Sequence, residues 1–169
     1  MLLLPCATAL PAGRDPDPRA AAVLASACHH AVRDIDYATS PDAPNNWARL
    51  QAECTPTRIT VWDGASDRGL LGSADNYAYR AWHDSVHLKV GADFSIPGEH
   101  TAALAQLQEL RAILVELGTD PDLVADVEAL FWAESWGQVA HVERFGKFPL
   151  DQLAFDMAYF SDGLPTVAL

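Results

Sequence analysis

Basic side chains are scarce in this chain. Lys and Arg number 11 against 23 Asp and Glu, a net charge of −12, and no basic run occurs. Such a surface repels phosphate backbones, which argues against non-specific nucleic-acid binding. The acids are scattered and read as a solvating surface, not as a DNA mimic. Cysteine is sparser still. Cys6, Cys28 and Cys54 are odd in number and never paired in spacing. That pattern argues against a disulfide scaffold and predicts three reduced thiols in a cytoplasmic protein. Cys28, beside His29 and His30, reads as a small buried thiol. No segment reaches the roughly eighteen apolar residues that a bilayer-crossing helix needs, so no membrane span is expected. Residues 1–12 are apolar over a signal-peptide length, but no positive segment precedes them and Pro5 interrupts them.

What the chain has in quantity is apolar content, half of its 169 residues. This predicts one domain over residues 1–169, with residues 1–16 as a flexible N-terminal segment. A helix is expected from Asp17 to Ile35, with Asp17 as N-cap, Pro18 at N1 and an apolar face through Val23, Ala27, His30, Ala31 and Asp34. Residues 39–46 read as a loop from their Pro, Asn and Asp content. Trp47 to Glu53 reads as a short helix. Thr57 to Trp62 alternates and is β-branched, which predicts a strand; Leu70-Leu71 offers a second short strand or a loop. Three main helices follow over 76–90, 99–117 and 121–145. Asp75 is the expected N-cap of the first, and Gly118 and Gly146 close the other two. Residues 151–159 read as a last short helix. The predicted fold is mainly α, a helical bundle with at most a small two-stranded β element.

The sharpest chemical signal is Trp82-His83-Asp84-Ser85-Val86-His87, followed by Glu99. Imidazoles four apart on a helix project from one face and can bind one metal ion. The internal Glu of the H-E-x-x-H protease motif is absent. On the third main helix, Glu134 and His141 lie two turns apart with Gln138 between them. Metal sites in bundles are built from such rows on facing helices. The expected ligands are therefore His83 and His87 with Glu134 or His141, and Glu99 as the next choice. Asp84 cannot share the face of His83 and is expected behind the ligands, as a hydrogen-bond acceptor or a helix-to-loop clamp. The ion would be a divalent transition metal: zinc, iron or manganese. Trp82, Phe131, Trp132 and Trp136 read as core.

The block Tyr79-Arg80-Ala81-Trp82-His83-Asp84, with a second His, Phe94-Ser95, Gly98-Glu99 and Ala102-Ala103, resembles a pattern of uncharacterised phage and mobile-element proteins. Those carry an aromatic-Arg-Ala-x-His-Asp block, a following His one residue later than His87, and a Gly-Glu-x-x-Ala block. The resemblance spans about residues 77–106. It implies a shared site at His83, Asp84, His87 and Glu99, and no particular activity.

Three functions are consistent with these residues. The first is a metal-dependent hydrolytic enzyme, with Glu99 or Glu134 as base and Arg80 holding an anionic group of a small-molecule substrate. A related form pairs His83-Asp84 with His29 or His30 and with Asp126, as in the His-Asp phosphohydrolases. The second is a non-haem iron oxygenase or oxidase on a helical bundle, although the paired Glu-x-x-His motif of di-iron sites is missing. The third is a non-catalytic acidic protein that docks on a host protein.

Overall fold

The computed structural model describes residues 14–64 and 69–162. Cys6, the apolar start and most of the segment expected to be flexible lie outside the described residues. Residues 14–16 lie within them, and Arg14 is tied to the rest of the fold. Arg14 and the Asp17 amide both bond the carboxylate of Asp126, through Arg14 Nη1 at 3.0 Å and the amide at 2.8 Å. Asp126 is only 1% exposed, and a buried carboxylate needs a partner of this kind.

The chain runs α1 (Ala20–Ala31), β1 (Asp36–Ser40), α2 (Trp47–Glu53), β2 (Arg58–Trp62), α3 (Ser73–Val90), α4 (Ile96–Glu116), α5 (Pro121–Trp132), a π turn (Ala133–Gly137), α6 (Gln138–Phe145) and α7 (Gln152–Asp162). Among the described residues the fold is mainly α with one two-stranded sheet, as expected. The sheet itself is parallel, with Tyr37 opposite Ile59 and Thr39 opposite Val61. Its second strand is β1, not Leu70-Leu71. Parallel strands need a crossover, and α2 supplies it.

The buried face of α1 is Ala20, Leu24, Ala27 and Cys28, at the i, i+4, i+7, i+8 spacing of a helical stripe. The expected face was rotated from this one. His30 instead bonds Glu116 at 2.8 Å and Asp34 lies past the helix end, exposed. Cys28 and Cys54 are free thiols, both buried. Helix α3 starts three residues before its expected N-terminus, with Gly72 at the N-cap, so Asp75 falls in the first turn and bonds His29.

One continuous hydrophobic cluster includes Leu24, Ile59, Trp82, Leu110 and Phe131. Trp82 and Phe131 are fully buried with ring centroids 6.0 Å apart. Among the described residues, no helix is long and apolar enough to cross a membrane.

The third expected helix is interrupted. At Ala133–Gly137 the backbone widens into a π turn. Ser135 Oγ donates to the Phe131 carbonyl at 2.8 Å, competing with the main-chain ladder there. Gly137 lets α7 come close: a Cβ at this position would stand 3.1 Å from the Tyr159 ring. One extra residue in a turn rotates everything after it by roughly 100° about the axis.

Candidate metal centre

Helix α3 carries Asn76, Arg80, His83 and His87 at i, i+4, i+7 and i+11, a single stripe. Helix α4 packs against it and brings Glu99 in its first turn. The chain between them is shaped by two glycines. Gly91 ends α3 at φ 68°, a left-handed turn that glycine adopts without penalty. Gly98 packs so close to the preceding loop that a Cβ would lie 2.0 Å from the Asp93 carbonyl oxygen.

The result is a triangle of donor atoms. His83 Nε2 and His87 Nε2 are 3.0 Å apart, and Glu99 Oε2 lies 3.2 and 3.3 Å from them. Each imidazole is oriented from behind. His83 Nδ1–H donates to Gln106 Oε1 at 2.9 Å, and His87 Nδ1–H donates to the Ala92 carbonyl at 2.9 Å. In the neutral rings the proton thus sits on Nδ1 and the Nε2 lone pair faces Glu99, whereas a second proton on an imidazole sits on Nε2 and donates to the Glu99 carboxylate. Aromatic rings hold the planes: Tyr79 stacks on His83, and Phe94 meets His87 edge-on.

Two lone pairs and a carboxylate oxygen repel one another unless a proton or a cation lies among them. An ion about 2.1 Å from each, an ordinary metal–ligand length, would subtend angles of roughly 90° to 105° between them. Those angles lie between octahedral and tetrahedral values, so the three atoms suit one transition-metal ion. Among the described residues, this is the group of His, Cys, Asp and Glu whose ligand atoms converge in this way.

The protonation balance has the same origin. Burial opposes the charged form of Glu99, but hydrogen bonds with His83 and His87 prevail and hold its carboxyl down to about 2. Burial likewise opposes a proton on His83, yet the Glu99 carboxylate beside it holds the imidazole above its usual value.

His87 is fully buried, while the His83 and Glu99 side chains are 20% and 17% exposed. That exposed side faces a cavity of about 610 Å³. Val61 and Trp62 of β2, Asp84 of α3, and Glu134 and Gln138 form much of its wall, and Phe148 and Leu150 stand at its rim.

The structure rearranges the expected ligand set. Glu99 completes the group with His83 and His87, and Glu134 and His141 do not. The π turn carries His141 away from the Glu134 row. Its Nδ1 donates to the Lys147 carbonyl at 2.9 Å and its ring packs against Phe145 and Phe155. Glu134 lines the cavity, accepting from Gln138 Nε2 at 3.0 Å. Burial, and then the neighbouring Asp156 carboxyl, push Glu134 well above the usual carboxylate range. Burial also raises Asp156, to about 6.

Asp84 does not stand behind the histidines, because Gln106 and the Ala92 carbonyl occupy both Nδ1 positions. It lines the cavity instead, and burial lifts its carboxyl to about 6 against the pull of His83 and His87. Arg80 also lines the cavity, with Nη1 donated to the Trp62 and Gly64 carbonyls at 2.7 and 2.8 Å. Asp126 is bound by Arg14, and His29 and His30 pair with Asp75 and Glu116. The residues needed for a His-Asp phosphohydrolase arrangement are therefore committed elsewhere.

Gln106 was missed from sequence. Its signal was there: it lies seven residues after Glu99, a lone amide on the buried Ala102, Ala103, Leu107 and Leu110 side of α4. The chain matches no protein-family model, no curated protein and no solved structure.

Proposed function

We propose that this chain is a metal-dependent enzyme of hydrolytic type acting on a small molecule in the cavity. The observation that carries this reading is the convergence of His83 Nε2, His87 Nε2 and Glu99 Oε2, 3.0 to 3.3 Å apart, at the cavity wall. Two imidazoles and one carboxylate form a donor set that holds catalytic zinc and leaves a position for water. His83, His87 and Glu99 would hold the ion, and the chemistry it would supply there is activation of a water molecule as nucleophile near neutral pH. Glu99, being a ligand, is not the base. Asp84 and Glu134 are the cavity carboxyls able to take up and return a proton. The resemblance of residues 77–106 to phage and mobile-element proteins is consistent with a site at His83, Asp84, His87 and Glu99.

The test is elemental analysis of protein purified without a metal-affinity tag, followed by hydrolysis assays on nitrophenyl esters and phosphates. About one equivalent of zinc or manganese, and turnover abolished by a chelator, are expected. A second reading comes from the same donor set. Two histidines and a carboxylate with neighbouring open positions also suit the iron of non-haem oxygenases. Bound iron together with substrate-dependent oxygen uptake would favour it. A protein that takes up no metal would sink both readings and leave a binding protein.

A further inference from the structure

Away from the metal ligands, the cavity carries a second polar group. Glu134 is 6% exposed and lines the wall, with Asp156, fully buried, against it. Asp156 is tied to Glu134, to the Gln138 side chain and to the Leu70 backbone. Asn76 lines the same cavity from the α3 stripe, is 2% exposed, and its Oδ1 has no partner. A buried acceptor without a donor is costly, and native structures seldom leave one so. Arg80, the cation on the cavity wall, is held over the Trp62 ring by two main-chain carbonyls. Trp62, Phe148 and Leu150 stand exposed around the opening at 51%, 58% and 73%. Aromatic faces attract cations as well as apolar groups.

We propose that the cavity recognises a small molecule with a cationic, donor-rich nitrogen group, its amidinium or ammonium seated against Glu134 and Asn76 Oδ1 and its apolar body under Trp62 and Phe148. A planar amidinium offers parallel N–H donors that match a carboxylate. The cation would also supply the counter-charge that Glu134 and Asp156 otherwise replace with a shared proton. A cavity of about 610 Å³ falls in the range that holds small ligands. This reading names the substrate class of the proposed enzyme and rests on that assignment for its catalytic meaning, but the binding itself needs no metal.

The test uses benzamidine, benzamide and benzoate, which share one shape and differ in charge. Each is titrated into the full chain by calorimetry, once after chelator treatment and once zinc-loaded. Benzamidine is expected to bind at least tenfold tighter than the other two in both forms. Glu134→Gln is expected to lower that affinity tenfold or more, and Asn76→Ala about threefold, with circular dichroism unchanged. Should Glu134→Gln fail to fold, Asn76→Ala and the three-probe ranking still decide. Benzoate binding as tightly as benzamidine to chelator-treated protein would overturn the proposal and favour an anionic substrate. So would benzamidine binding unaffected by both substitutions. Failure of the metal assignment is read separately, from stoichiometry.

Discussion

The Nε2 atoms of His83 and His87 face each other at 3.0 Å across the mouth of the carboxylate Glu99. Both Nδ1 protons are engaged on the far side of the rings. The pair is thus oriented as ligands whether or not an ion is bound, and the site's behaviour follows from that orientation.

Removing any corner of the triangle should abolish stoichiometric binding. His83→Ala, His87→Ala and Glu99→Ala are expected to drop bound metal from about one equivalent to near zero, with far-UV circular dichroism nearly unchanged. His141→Ala should keep its metal. Elemental analysis of the four variants checks this, and metal retained by His87→Ala would refute the ligand set.

Gln106→Leu separates positioning from stability. The substitution removes the acceptor that orients His83, and such partners typically matter 10- to 100-fold in metal affinity. It also removes Gln106 Nε2, a buried atom without a partner, so stability should change by less than about 1 kcal/mol. Metal titration and denaturant melts on one sample distinguish the two effects.

Protons compete with the ion. Metal binding requires a free lone pair on His83, whose proton is held above its usual value of 6.5. Affinity should therefore rise with pH and keep rising past 6.5, because the competing proton leaves late. Competition titrations between pH 5.5 and 8 measure the slope. A flat profile would show that His83 does not bind through the nitrogen that carries this proton.

Asp156 should impose the opposite trend on stability. Its carboxyl is raised from 3.8 to about 6, so the folded state holds more protons than the unfolded state within that window. Stability is then fullest at the acid end and falls as pH rises through the window. Asp156→Asn should remove that slope, on the order of 2 kcal/mol between pH 4 and 6. Thermal melts across this range test it.

Gly98→Ala should damage both fold and site. A Cβ 2.0 Å from the Asp93 carbonyl cannot be accommodated without moving the start of α4. A loss of about 2 to 4 kcal/mol is expected, and bound metal should fall because Glu99 is the next residue. An unchanged melting temperature would contradict the packing described for this turn.

The helices were legible because they are local. Apolar spacing along α3, α4 and α5, with Gly118 and Gly146 at positive φ where helices end, marks an element from its own residues. The His83–His87 pair was legible for the same reason, since four residues on a helix is a fixed geometry. β1 was not. Asp36-Tyr37-Ala38-Thr39-Ser40 has no alternating apolar face and is mostly exposed, and it is a strand because Arg58–Trp62 lies beside it. The π turn was equally hidden, because it comes from a Ser135 hydroxyl on the Phe131 carbonyl and from α7 pressing on Gly137.

The third corner of the donor triangle, Glu99, shows where local reading stops. Sequence alone determined that His83 and His87 share a face and that Glu99 lies near the start of a helix, although α4 begins earlier, at Ile96; the two regular turns it gave between Glu134 and His141 are broken by the π turn. Choosing among the acids required knowing which helix end meets the His83 face, and that is set by how α4 docks through Gly98 and the Gly91 turn. Likewise, Asp84 stands in the cavity wall and Gln106 behind His83 because α3 and α4 pack together. Periodicity fixes direction around one helix axis. The distance between axes, and therefore which side chains meet, is decided only by the packed core.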